Sequence, residues 1–450
     1  MNKKTVLAGL LAVLTFCGCG DNKDSTDGPF TYPKTCLPDV ADRYVFPVVQ
    51  GSAQWNNMGT GEIISVCQLP EDVLKNISTA GLIRSFAEAA ILLDYKTFSG
   101  AYDDDRVPAI FGLYSNLNCI PELLGRNNAG KELLRFFEEL SFDCWKTMDA
   151  REQEYHTVCH AALTGLFMQP EILDQLNGTD RQSVVTLLQT HFGQMMNFKS
   201  DGLKESIHGN VTAYIMHSML KNQYPPGSDG LIMTVGECLP DVAGKHEYRI
   251  PQFTDPMLYQ IPDDELSEMS TFGLIRSFLD FPALTSQFLG SSNTSSIITL
   301  NRLFSRINCA QELIGRSDAG EALLQYYNAI CFDCLKIIDP DADVTDPEIL
   351  KIVGEMMTFS VQLAAVPVFL TQQEILDRLD KKKVVAFLLS KYGQMQRPYS
   401  VPSFRDHASL EVMDYIMLND QYASYVENVD LNNFWNRYNK IIYFAINYIN

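Results

Sequence analysis

The chain contains one phrase twice: NCIPELLGRNNAG at 118–130 returns as NCAQELIGRSDAG at 308–320, with eight of thirteen positions identical. Unrelated segments of ordinary composition would share about one position in thirteen. Other pairs keep the same order, namely CLPDVA at 36–41 and 238–243, GLIRSF at 81–86 and 273–278, FDC at 142–144 and 332–334, and EILD at 171–174 and 374–377. We therefore predict the tandem duplication of a domain-sized unit, since a solenoid repeat would be much shorter.

Helical signs recur within each copy. From 128 to 140 the apolar residues follow the spacing of one helix face, and the copy keeps this pattern at 318–330. Asp318 with Glu321, and Thr371 with Glu374, have the capping-box spacing of helix starts. The sequence therefore predicts an all-α protein of two tandem duplicated helical units, similar to helical-repeat proteins.

The N-terminus indicates secretion. Lys3 and Lys4 precede an apolar stretch at 5–16 that is too short to span a bilayer, as in signal peptides. The following FCGCGD resembles a bacterial lipobox, in which the mature chain begins at a lipid-modified cysteine. The resemblance implies acylation, palmitate included, at Cys19 after the small Gly18, with Cys17 as the alternative. An ordinary signal peptide with unmodified cysteines is the other interpretation.

A polar, acidic segment follows the signal and is typical of a flexible tether. Its aspartates resemble the acidic tract that directs lipoproteins to the outer face of Bacteroides-like cells. We therefore expect a lipid anchor in the bacterial outer membrane, with the body in the periplasm or at the cell surface. The predicted order is signal peptide 1–18, acidic tether 19–35, helical unit 1 at 36–224, Pro/Gly linker 225–237, helical unit 2 at 238–430 and an aromatic C-terminal helix at 431–450.

Charge limits the partners. The formal net charge of −20 at pH 7 would repel nucleic acid and anionic membrane surfaces. No segment after the signal is expected to span a membrane, and the aromatic C-terminal helix is interpreted either as a cap on the helical stack or as a docking helix. We expect membrane contact through the lipid anchor only, and an unidentified protein or glycan as ligand.

One helix face carries potential metal ligands. In EQEYHTVCH, the residues Glu152, His156, Cys159 and His160 fall on one side of a helix, and such a set suits Zn²⁺. The aligned face of the second unit has phenylalanine and leucine in place of the two histidines. We therefore predict a packing face, with no metal and no cofactor.

Nine cysteines follow the signal, in a compartment that can oxidise them. Cys119 and Cys144 stand at the beginning and end of the repeated helical hairpin, as do Cys309 and Cys334. Because an antiparallel hairpin brings its ends together, we predict the disulfides Cys119–Cys144 and Cys309–Cys334. Buried free thiols are the alternative, and Cys331 could compete for Cys309.

The phrases GSAQW, VCQLPEDVLKNISTAGLIRSF and ELLGRNNAG resemble a group of uncharacterised lipoproteins of Bacteroides-like gut bacteria. The resemblance implies a lipid anchor and a helical body, and it transfers no activity, cofactor or site residue. The sequence has no serine-hydrolase elbow, zinc-protease motif or phosphate-binding glycine loop. We expect a lipid-anchored binding or scaffold protein without catalysis. A metal-dependent hydrolase using 152–160 and a glycan-binding accessory lipoprotein are the alternatives.

Overall fold

The computed structural model describes residues 36–48, 52–93, 114, 116–195, 206–223, 231–232, 237–248, 260–289, 295–332, 345–396, 407–418 and 434–450. These residues are predominantly helical, with a single two-stranded ribbon among them, so the all-α prediction is confirmed. Cys17, Cys19 and Cys334 lie outside the described residues. The chain divides into two compact units, Met1–His208 and Gly209–Asn450.

The first unit is organised around one apolar helix, α4. Its described helices are α1 Ala53–Asn56, α2 Thr60–Val66, α3 Glu71–Asn76, α4 Thr79–Leu93, α5 Cys119–Leu124, α6 Ala129–Glu139, α7 Ala150–Gly165, α8 Pro170–Leu173 and α9 Gly178–Met195, with 3-10 turns at Asp143–Thr147 and Leu166–Met168. Helix α4 packs against α5, α6 and α7. Its side chains Leu82, Ile83 and Phe86 are fully buried, because the GLIRSF phrase faces helices on several sides.

The second unit has the same helical character. Its elements are α10 Ser206–Leu220, a 3-10 turn at Lys221–Gln223, β1 Leu231–Ile232, β2 Asp241–Val242, α11 Asp263–Glu268, α12 Thr271–Leu279, α13 Leu284–Leu289, α14 Ser296–Phe304, α15 Asn308–Gly315, α16 Ala319–Ala329, α17 Pro347–Phe369, α18 Gln373–Leu376, α19 Lys381–Met395, α20 His407–Leu418 and α21 Phe434–Ile449. Strands β1 and β2 pair antiparallel, with Leu231 opposite Val242. The long helix α17 packs against α13, α14 and α20.

The division between the units falls inside α10, between His208 and Gly209. It therefore lies before the predicted linker at 225–237. From Gly209 onward this helix belongs to the second unit, where the Tyr392 hydroxyl donates to Asn210 Oδ1 at 2.9 Å. The sequence repeat alone assigns the whole of α10 to the first copy.

The repeated phrase begins with an asparagine that has the same contacts in both units. Asn118 Oδ1 accepts from the backbone N–H of Leu69 at 3.0 Å, and its Nδ2 donates to the carbonyl of the same residue at 2.8 Å. Asn308 does the same with Ile261, at 3.1 and 2.7 Å. The phrase therefore fixes the preceding QLP or QIP segment against the hairpin that follows it.

The packing of two apolar helices indicates their roles. Helix α17 is long and apolar enough to cross a membrane, contrary to the sequence-based expectation, but 56% of its most apolar window is buried within the protein. Its neighbours are those of a core helix. The C-terminal helix α21 packs against α19 and α20, and it buries Ile441 and Ile442 while leaving Phe444 exposed. These contacts favour a capping role for α21 over docking.

Candidate functional site

The structure separates Glu152 from the other three candidate metal ligands of this helix face. Glu152 serves in the capping box of α7, where its backbone N–H donates to Asp149 Oδ1 at 2.8 Å. His156, Cys159 and His160 point into the core and are at most 5% exposed. Within the described ranges, no group of three or more His, Cys, Asp or Glu side chains is arranged to hold a metal ion.

His156 holds the start of the described chain against α7. Its Nε2 accepts a hydrogen bond from the backbone N–H of Cys36 at 3.2 Å, so the ring proton of the neutral imidazole is on Nδ1. Burial, with the positive charge of Arg84 as a smaller cause, lowers the pKa of His156 to about 4. The ring is therefore neutral near pH 7 and acts as a structural acceptor.

The second histidine of this helix belongs to a row of three, which we call the histidine chain: His191, His160 and His208. His160 Nε2 lies 3.1 Å from His191 Nδ1, and His160 Nδ1 lies 2.7 Å from His208 Nε2. All three are at most 3% exposed. The histidine chain thus connects α7 with α9 and with the first turn of α10.

Aromatic rings enclose the histidine chain. The Phe137 centroid lies 5.3 Å from that of His160 and 5.8 Å from that of His191, and Phe142 lies 5.5 and 5.0 Å from the same two rings. Burial is the main cause that lowers the pKa of His160 well below its usual value, followed by His208 and His191. Burial also lowers the pKa of His191 to about 4. His160 and His191 are therefore uncharged near neutral pH.

A buried ion group lies on the neighbouring helix α4. Glu88 Oε1 accepts from Arg84 Nε at 3.0 Å and from Arg43, and the glutamate side chain is 1% exposed. Arg84 also donates to the carbonyls of Leu37 and Pro38, at 2.8 and 2.9 Å. This arginine therefore attaches the CLPD segment to α4 and does not cap a helix.

The second unit repeats the ion group with shorter side chains. Arg276 Nε donates to Asp280 Oδ2 at 2.9 Å, and its Nη1 donates to the carbonyl of Pro240 at 2.8 Å. Lys245 lies 3.6 Å from the same carboxylate, in the place of Arg43. Because both copies keep this arrangement around the CLPD segment, its role is architectural.

Both predicted disulfides are wrong. Cys144 is bonded to Cys36 across 5.8 Å between Cα atoms, and Cys119 is a buried free thiol. Cys309 is also free and buried, which excludes its bond to Cys334. The hairpin ends do not meet through these cysteines because the chain before α1 lies against Phe142 and Trp145, where Cys36 and Cys144 pack together.

The position of the histidine chain has a different chemistry in the second unit. By the aligned GQM phrases, His191 corresponds to Lys391, which is 3% exposed and donates from Nζ to Gln394 Oε1 at 2.8 Å. Its Nζ lies 4.9 Å from the centroid of Phe332, the counterpart of Phe142. A basic side chain against an aromatic ring is thus common to both units.

In the second unit, uncharged side chains replace the other two members of the histidine chain. His160 aligns with Leu363 through the EILD phrases, and His208 aligns with Ser409 through YIM at 214–216 and 415–417. The Ser409 hydroxyl lies 2.7 Å from the hydroxyl of Tyr327, the counterpart of Phe137. Only the first unit therefore builds a row of imidazoles at this place.

A surface cleft in the second unit lies between α13 and α14. It encloses about 360 Å³ and is lined by Ser286, Gln287, Phe288, Thr299, Leu300, Arg302, Leu303 and Arg306. The lining combines two arginines, a half-buried aromatic ring and hydroxyl and amide groups, without a carboxylate. This mixture can contact the ring face and the polar groups of a small hydrophilic ligand.

Sequence reasoning missed His191 and His208, because they lie on helices remote in sequence from His160. The one signal was the matching basic residue at 191 and 391 in the two copies. No protein-family model, curated protein or solved structure matches the chain.

Proposed function

We propose that this is a lipid-anchored binding or scaffold protein of the bacterial outer membrane, without catalysis. The observation that supports it most is the location of the reactive side chains. His156, Cys159 and His160 are buried, and burial raises the pKa of the Cys159 thiol to about 12. Catalysis and metal binding use thiolates and solvent-reachable imidazoles, so these groups support the core instead.

The anchor is tested by substitution. Cys19→Ala should abolish acylation and leave the body unprocessed or soluble, whereas Cys17→Ala should leave membrane attachment intact. Fractionation of cells and mass spectrometry of the mature N-terminus distinguish the two. If the Cys19→Ala chain is still recovered as an acylated membrane protein, Cys19 is not the lipidation site.

Partner binding is tested on intact envelopes. Chemical cross-linking of the anchored wild-type protein, with the Cys19→Ala chain as control, should enrich one protein or glycan reproducibly with the anchored form. Turnover of substrate by the purified body, or the absence of any partner specific to the anchored form, would contradict the proposal.

A glycan ligand is the second candidate, and the cleft between α13 and α14 favours it. Phe288 offers a ring for stacking, while Gln287 and Arg302 offer hydrogen-bond donors for hydroxyl or carboxylate groups. Titration calorimetry with neutral and acidic oligosaccharides is the measurement. Arg302→Ala should weaken binding at least tenfold, whereas Arg135→Ala, on the surface of the first unit, should not. Equal binding by both variants would exclude the cleft.

The hydrolase alternative requires a metal. We predict less than about 0.1 zinc per chain in protein purified without chelators, because a structural or catalytic zinc site binds tightly enough to survive purification. Elemental analysis that finds about one zinc per chain, lost in His156→Ala or His160→Ala, would favour the hydrolase.

A further inference from the structure

The hydrogen bonds of the histidine chain admit only one proton on its central ring, His160. A neutral imidazole has one N–H donor and one acceptor nitrogen. His160 faces a partner nitrogen on both sides, so it must donate to one neighbour and accept from the other. The Thr164 hydroxyl donates to the carbonyl of His160 at 2.7 Å, and can therefore only accept from the rings. A second proton on His160 would place an N–H group of this ring opposite the N–H group of a neighbour.

Among the residues that the structure describes, no carboxylate is hydrogen-bonded to His160 or His191. The rings of Phe137 and Phe142 also lie against these two imidazoles. An imidazolium there would be both desolvated and repelled by the next ring.

The ionisable groups of the adjacent helix do not help. On α4, the Glu88 carboxylate is already shared by Arg84 and Arg43. On α7, His156 is held by the backbone N–H of Cys36, and the Cys159 thiol is neutral. The positive charge of Arg84 lowers the pKa of His156, so these groups disfavour a further positive charge there.

We propose that the histidine chain is an acid-sensitive latch of the first unit, which opens when an imidazole of the row takes up a proton. Opening separates α7 from α9 and releases the start of α10, because His208 is the last residue of the first unit. The second unit has leucine, lysine and serine at the three equivalent positions, so it lacks the latch. Acid therefore acts on one unit of the chain and spares the other.

The direction with pH follows from linkage. Exposed imidazoles titrate near pH 6.5, whereas burial lowers the pKa of His191 to about 4 and that of His160 well below its usual value. The open form therefore binds more protons, and the stability of the closed form is complete above about pH 6.5 and falls as the pH drops toward 4. Each proton taken up changes the opening constant about tenfold per pH unit.

The experiment is hydrogen–deuterium exchange of the full mature chain between pH 7 and 5, corrected for the intrinsic exchange rates. The opening constant of peptides from 150–165 and 178–195 should rise at least about fifteenfold between pH 6.5 and 5, which is the increase for uptake of one proton. Peptides from 381–395 should change less than threefold. Loss of protection in both units at the same pH, or full protection of 150–165 at pH 5, would overturn the proposal.

Substitutions test whether the histidine chain causes the acid-induced opening. His160→Leu with His208→Ser installs the residues of the second unit and should reduce the rise at 150–165 at least tenfold. His246→Gln, a histidine of the second unit 20% exposed beside Glu265, is the control and should leave it unchanged. A double variant that folds and keeps the full rise would also overturn the proposal. If that variant does not fold, the comparison of the two units in the wild-type chain decides.

Discussion

Cys36 and Cys144 are joined by a disulfide that ties the segment before α1 to the end of the repeated hairpin. Cys238, the counterpart of Cys36, is also disulfide-bonded. Because Cys144 corresponds to Cys334 in the FDC phrases, we predict the bond Cys238–Cys334. Non-reducing peptide mapping, with thiols blocked at lysis, should recover both linked pairs. A Cys238 peptide linked to any other cysteine contradicts the prediction.

Removal of the Cys36–Cys144 disulfide should lower the stability of the first unit. The bond closes a loop with a sequence separation of 108, for which chain entropy gives about 4 to 5 kcal/mol. We expect Cys36→Ser with Cys144→Ser to lower the free energy of unfolding of the first unit by about 2–5 kcal/mol, measured by urea denaturation. A change below about 1 kcal/mol would show that the loop is fixed by other contacts.

Arg84 should be one of the least replaceable residues of the first unit. Arg84→Met removes one of the two cations that pair with Glu88 among the described residues, and Glu88 is 1% exposed. It also removes the donor to two backbone carbonyls. We expect a loss of about 3–5 kcal/mol in the free energy of unfolding, since one partner of a buried ion pair is removed. Arg135→Met is the control, because Arg135 is 56% exposed and its ion pairs are worth about 1 kcal/mol or less. Equal effects of the two substitutions would refute the argument.

Two aligned glycines should respond oppositely to alanine. A Cβ at Gly393 would lie 2.6 Å from the carbonyl carbon of Ala213, whereas a Cβ at Gly193 would meet nothing within 4 Å. We expect Gly393→Ala to lower the melting temperature through overpacking that costs about 1–3 kcal/mol. Gly193→Ala should be neutral or stabilise by up to about 1 kcal/mol, because alanine favours the helix. Calorimetry of both variants is the measurement, and a stable Gly393→Ala protein would contradict this packing.

The buried thiols should resist alkylation until the protein unfolds. Burial raises the pKa of Cys119, Cys159 and Cys309 to about 12, so the reactive thiolate appears only at strongly alkaline pH. At pH 8 we expect native labelling at least about a thousandfold slower than labelling in denaturant. The half-buried Cys331 is the internal reference and should be labelled first. Rapid labelling of Cys119 in the native protein would contradict the prediction.

The helices were predictable because their apolar spacing coincides with burial. Leu133, Leu134 and Phe137, which mark the helix at 128–140, are all in the core. The caps were less predictable. Asp318 accepts from the Thr271 hydroxyl and does not cap its own helix, and Thr371 donates to the carbonyl of Val368 while α18 begins after Gln372. A tertiary partner competed for the Asp318 side chain, and a local backbone carbonyl competed for that of Thr371.

The candidate site was predictable only in part. The packing interpretation of His156, Cys159 and His160 rested on apolar residues in the aligned face, and their burial agrees with it. The partners of His160 could not be predicted, because spacing along one helix says nothing about which neighbouring helix approaches it. The disulfides failed for a similar reason: Cys36 reaches Cys144 through the fold and not through the hairpin.

Helix α10 has a consequence for the predicted duplication. The repeat assigns this helix to the first copy, yet from Gly209 onward it packs within the second unit, where Gly209 meets Asn439 and Ala213 meets Gly393. Deletion of the first copy would therefore remove part of the core of the second. Such dependence would entrench a duplication, because selection on the second unit would also preserve this helix of the first copy.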